Sequence, residues 1–132
     1  MQKKKPINKR YKAQRLQAFP LFMKRTYNAV EKSAQASGMQ GYLFEGADGS
    51  QVVLWECKKG GKSKRHKHDF DEYAVVLQGT FAGLVGRRKI VMKRGDECYI
   101  PAGMFHEGMY SANYRAIDAF GGQRLKMCVK KL

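Results

Sequence analysis

The chain has 132 residues, is 43% hydrophobic, carries 14 glycines and has a formal net charge of +15. That length bounds it to one domain with a modest core, and no apolar run is long enough to span a membrane. The charge is uneven: residues 1–15 hold seven cations and no acid, residues 123–132 hold four and no acid, and the 107 residues between keep only +4. Most of the excess therefore sits in two tails, which argues against nucleic acid as the main partner. A nucleic-acid or anionic-polymer role would rest on those tails through phosphate contacts, with little base readout. No apolar segment succeeds the basic N-terminus, so no signal peptide is expected. Cys57, Cys98 and Cys128 include no CxxC pair and read as reduced thiols of a cytoplasmic protein.

In chain order, residues 1–19 form a basic arm, residues 20–122 the domain, and residues 123–132 a basic C-terminal tail. "NAVEKSAQASG" (28–38) reads as one short helix, with Asn28 as N-cap, Glu31 at the capping-box position and Gly38 as stop. Beyond it the chain reads as a series of short extended runs. "GADGSQ" (46–51) is a turn and "VVLWECK" (52–58) a strand. "KKGGKS" (58–63) reads as a flexible connection, and "EYAVVLQ" (72–78) as a strand ended by Gly79. "TFAGLV" (80–85) and "KIVM" (89–92) flank "GRR" as a tight hairpin. "CYI" (98–100) and "NYRAIDAF" (113–120) complete the set. Short strands at close spacing, with glycine at the corners, indicate an all-β antiparallel sandwich or small barrel. In 72–78, Glu72, Ala74, Val76 and Gln78 share one face, and Tyr73, Val75 and Leu77 share the other. Both faces are apolar, so the outer one needs a cover, either the N-terminal segment or a second subunit. A homodimer is expected.

The chemistry concentrates in the histidines, of which the chain has three, at 66, 68 and 106. His66 and His68 are two apart, and on an extended strand both imidazoles face one way and can chelate one ion. Glu72 keeps the same parity, and His106 lies just past the rigid turn "PAG" (101–103).

These residues carry a resemblance. Gly60, five residues, His66-Lys67-His68, three residues, Glu72, six residues and Gly79 match the first motif of the cupin superfamily. Gly95, five residues, Pro101-Ala102-Gly103, two residues and His106 match the second motif, which departs only at its last position, where Tyr110 replaces an asparagine. The sequence thus resembles a small single-domain, RmlC-like cupin. The resemblance implies an antiparallel jelly-roll β-barrel preceded by the arm and the one short helix. It also implies a divalent transition metal (Fe, Mn, Ni, Zn or Cu) held by His66, His68, Glu72 and His106. Three imidazoles and a carboxylate suit such ions and leave positions open for water or a bidentate ligand.

The expected function is a cupin that binds a small polar or anionic molecule or acts on it as a metal-dependent oxygenase, isomerase, decarboxylase or lyase. A non-catalytic ligand-binding cupin is the alternative, and no helix-turn-helix accompanies the barrel. Candidate substrate contacts are Lys64, read as lying on the histidine face, Trp55, Phe105 and Phe120. The remaining cations of 58–67 read as a solvated loop, with electrostatic guidance of an anion as the sharper possibility.

Overall fold

Alternation of side chains along short strands explains the architecture. The computed structural model describes residues 13–31 and 37–126. Nine strands run in it: β1 (Gln40–Glu45), β2 (Gln51–Cys57), β3 (Gly61–His66), β4 (Glu72–Gln78), β5 (Phe81–Val85), β6 (Arg88–Met92), β7 (Glu97–Ile100), β8 (His106–Tyr110) and β9 (Tyr114–Phe120). They form a five-stranded sheet of order β1-β2-β9-β4-β7 and a four-stranded sheet of order β3-β8-β5-β6. Every pairing between these strands is antiparallel. This is the jelly-roll barrel that the sequence resemblance implies, and a two-residue turn at Gly86-Arg87 makes the expected hairpin.

The core lies between the sheets. Val53, Trp55 and Cys57 of β2, Val76 of β4, and Tyr114, Ala116 and Phe120 of β9 are all buried. Each large side chain among them contributes about 1.5–3 kcal/mol through removal from water. Tight spots fix the packing. Gly41 faces the Trp55 ring, where an added Cβ would approach to 2.6 Å.

Three local readings change. The short helix at 28–38 does not start at Asn28. That residue instead closes a 3-10 turn over Thr26–Asn28, and Ala29 is extended at φ −67 and ψ 138. The asparagine side chain works backwards along the chain. Its Oδ1 accepts from the Arg25 amide at 2.8 Å and its Nδ2 donates to the Met23 carbonyl at 3.0 Å. Ala29 then bridges to Tyr42, so sheet pairing wins over helix propensity. Residues 32–36 of the helix reading lie outside the described residues, as do residues 1–12 and Cys128. Second, the "flexible connection" ends early: Gly61 already opens β3, paired to Tyr110 of β8. Third, β1 and β8 are strands that the sequence pattern did not single out.

Part of the outer sheet face is covered by the segment before β1. Leu54 and Arg115 point outward by parity yet are buried. The Arg115 guanidinium donates to the Leu16 carbonyl at 2.6 Å and sits 4.8 Å over the Phe19 ring. Next to it, Lys24 pairs with Glu56 at 3.1 Å. The far side of the same face keeps an uncovered row. Phe44, Val52, Ala119, Tyr73 and Tyr99 are successive cross-strand partners over all five strands. Of these, Phe44, Val52, Tyr73 and Tyr99 are exposed.

Candidate metal centre

The two motif segments meet at one end of the barrel. His66 ends β3 and His106 opens β8, and the two are direct register partners. Glu72 opens β4, whose partner at that level is Ile100, just before the Pro101 turn. His68 sits in the short link between β3 and β4. One ligand atom from each of His66, His68 and His106 lies within 4.8 Å of the others. Glu72 Oε1 lies 3.5 Å from His68 Nε2 and 3.3 Å from His106 Nε2.

The imidazoles are oriented from behind. His66 Nδ1 is 2.6 Å from the Lys64 carbonyl, and His106 Nδ1 is 3.0 Å from the Met104 carbonyl. A carbonyl only accepts, so Nδ1 carries the proton in both rings and Nε2 presents a lone pair inward. The His68 ring stacks on Phe70 (5.2 Å, 3° between planes) and meets Phe120 edge-on at 5.8 Å. The result is four buried atoms without a hydrogen-bond partner: Nε2 of His66, His68 and His106, and Oε1 of Glu72. Buried polar atoms are ordinarily satisfied. Three clustered imidazole nitrogens, with the Glu72 carboxylate oxygen within 3.5 Å of two of them, suit a divalent first-row ion, so the residues fit the metal that the resemblance implies.

Electrostatics favours a neutral His66. Burial pushes His66 down to about 4, against a backbone hydrogen bond that favours the charged form. Burial would raise Glu72, but hydrogen-bonding reach to His106 and His68 and the charge of Arg124 reverse it, and the carboxyl is held well below its ordinary range. Asp118, inward on β9, moves the other way. Burial, the Glu72 charge and a hydrogen bond to Glu72 raise it well above its ordinary value, with Trp55 donating in opposition. The two carboxyls are thus pushed apart, Glu72 towards its ionised form and Asp118 towards its protonated form.

The residues named from sequence separate here. Trp55 lines the cavity, together with His66, Glu72 and His106. Phe120 backs His68 from the core. Lys64 is exposed and does not line the cavity. A bulge between Ser63 and His66 breaks the alternation that would put Lys64 on the histidine face. Ser63 is the buried, cavity-lining residue instead. Phe105 is exposed at a separate cleft that shares His106 and Glu107 with the main cavity, under the cations of Arg65 (4.7 Å) and Lys67 (4.9 Å). Asp118 and Arg124 also line the cavity and were not singled out from the sequence. Asp118 had a usable signal, being the one acid in the otherwise apolar inward parity of "YRAIDAF". Arg124 had none, because it sits among the cations of a basic C-terminal run. Cys57 is buried and Cys98 half-buried, both free thiols raised by burial.

Comparison with known proteins agrees with this geometry. The family model for the cupin domain matches residues 53–109, which include all four converging residues. No curated protein matches the sequence. Among solved structures, KdgF from a Halomonas species shares 21% identity and a TM-score of 0.62, over 70% of this chain and 86% of its own. An RmlC-like cupin from Shewanella frigidimarina shares 21% identity and a TM-score of 0.63, over 72% and 84%. A sugar phosphate isomerase of the cupin superfamily from Silicibacter pomeroyi shares 20% identity and a TM-score of 0.53, over 63% and 59%.

Proposed function

Because the chain belongs to the cupin superfamily, we propose that it binds one divalent first-row metal ion through His66, His68, Glu72 and His106 and acts there on a small polar molecule. The observation that carries this is the convergence of four buried, unpartnered donor atoms. The bound ion would supply Lewis acidity, polarising a substrate oxygen or acidifying a water. The chain's own residues do the rest. The Lys64 and Met104 carbonyls fix the imidazole tautomers, Phe70 and Phe120 hold the His68 ring, and the apolar wall keeps bulk water away. Asp118 lines the cavity beside the ligand Glu72, is pushed towards its protonated form, and is the candidate acid.

Elemental analysis of protein purified without an affinity metal tests the reading. About one ion per chain is expected, with loss in His66→Ala and in His106→Ala. Full occupancy in both variants would overturn it.

The same reading includes a homodimer. Its support is the uncovered row Phe44, Val52, Tyr73 and Tyr99, an apolar strip that a second copy of the same sheet would bury.

A further inference from the structure

Arg124 differs from every other described cation of the chain in where it ends up. It is the only Lys or Arg among the residues lining the histidine cavity. Its Nε is buried without a hydrogen-bond partner. Among the described residues its guanidinium enters no ion pair, and its one ring contact is the face of Phe120 at 4.9 Å.

This position is built. Gln51, 2% exposed, holds the backbone at this point from the start of β2. Its Oε1 accepts from the Arg124 amide at 2.9 Å and from the Leu125 amide at 3.0 Å, while its Nε2 donates to the Leu125 carbonyl at 3.0 Å. The nearby carboxyls feel the charge of the arginine but form no ion pair with it. Glu72 Oε1 is turned toward the histidines, and Asp118 is engaged with Glu72 and Trp55. The buried Nε lacks a partner, an unsatisfied donor is costly, and an anion entering the cavity would satisfy it.

We propose that Arg124 receives the carboxylate of a small monoanionic ligand whose polar end reaches the metal. The planar fork of a guanidinium matches a carboxylate with two parallel hydrogen bonds. A phosphate dianion would call for a second cation, and no other Lys or Arg among the described residues lines the cavity. Much of the remaining wall is apolar, with Phe81, Ile90, Met92 and Ile100 bounding the space for a short carbon chain. This deepens the metal-dependent reading by naming its ligand class, and it rests on that reading only for the far end of the ligand.

The test is calorimetric titration of wild type and Arg124→Gln, each zinc-loaded and metal-free, with glycolate, pyruvate, glycolamide and inorganic phosphate. Zinc content is measured separately. Glycolate and pyruvate should bind zinc-loaded wild type and outbind glycolamide and phosphate, and Arg124→Gln should weaken them about tenfold or more. Arg124→Lys should recover part of the loss. Zinc affinity of Arg124→Gln should be unchanged or higher, since a cation is removed beside a cation site, whereas an arginine that merely supports the ligands would lower it. Carboxylate binding that is equal in wild type and Arg124→Gln, preference for phosphate, or no binding of any probe would overturn the proposal. If zinc itself does not bind, the metal reading fails, and the metal-free titrations still decide whether Arg124 recognises a carboxylate.

Discussion

The Gly103 amide donates to the His68 carbonyl over 2.7 Å, joining the turn that precedes His106 to the link that carries His68. Gly103 adopts φ +82, a left-handed conformation that glycine reaches without strain. Asp71 reinforces this junction, its Oδ1 accepting from the Ala102 amide at 2.9 Å and its Oδ2 from the Tyr99 hydroxyl at 2.9 Å. The Asp71 carbonyl accepts from the Gly121 amide at 2.9 Å, bringing in the end of β9 as well.

Replacing Asp71 should therefore act on the metal site from a distance. Asp71→Ala should cost about 1–3 kcal/mol of stability and weaken metal binding about 10-fold or more, because the turn that delivers His106 loses its anchor. Chemical denaturation and metal titration of the variant check both effects. Wild-type metal affinity would show that His106 is placed without Asp71.

Occupation of the site should stabilise the fold. At an ion concentration about 100 times its dissociation constant the gain is about 2.7 kcal/mol, read as a rise in Tm. His106→Ala should remove the metal-dependent part of that rise. Acidification should weaken binding as well, since the ion competes with protons for the imidazole nitrogens.

His66 gives the metal-free protein a defined pH signature. Its folded pKa, pushed down to about 4, lies below the ordinary 6.5. Its contribution is therefore complete above pH 6.5 and is lost as pH falls from there towards about 4, where the unfolded chain binds the proton and the folded chain resists it. The loss is about 3 kcal/mol at most. Glu72 adds a loss in the same direction below its ordinary 4.5. Asp118, raised above its ordinary 3.8, acts oppositely, because its contribution is lost as pH rises. The difference between wild type and His66→Gln isolates the histidine. It should shrink between pH 6.5 and about 4, and a constant difference would contradict the buried neutral imidazole.

Gly108 lies in β8 opposite Ser63 of β3 and Gly83 of β5. A Cβ there would run into the Phe81 ring and come within 3.1 Å of the Ala82 carbonyl. Gly108→Ala should destabilise by about 1–3 kcal/mol and loosen His106, two residues earlier on the same strand. Thermal denaturation with and without metal measures both, and a variant equal to wild type would show that the barrel yields at this point.

The exposed row on the five-stranded sheet sets the assembly prediction. Wild type should sediment as a dimer at micromolar concentration, and Tyr73→Lys with Tyr99→Lys should shift it to monomer while leaving metal content intact. A monomeric wild type would leave Phe44, Val52, Tyr73 and Tyr99 exposed in solution and remove the dimer.

The residue string by itself determined the strands whose alternation is strong, such as Glu72–Gln78 and Tyr114–Phe120, and it named the four residues whose donor atoms meet. Both rest on short-range rules, the period of two along a strand and the fixed motif spacings around glycine and proline. The tertiary structure decided what depends on a distant partner. Pairing with Tyr42 made Ala29 extended where the local signal favoured helix. Register against β8 placed a bulge after Ser63, turning Lys64 to solvent and Ser63 inward. Gln51 captured the backbone at Arg124 from 73 residues away and set that side chain in the cavity. In each case the deciding hydrogen bond joins residues that no local pattern relates, so the composition of "GGQRLK" reads as a basic tail while its fold makes it part of the site.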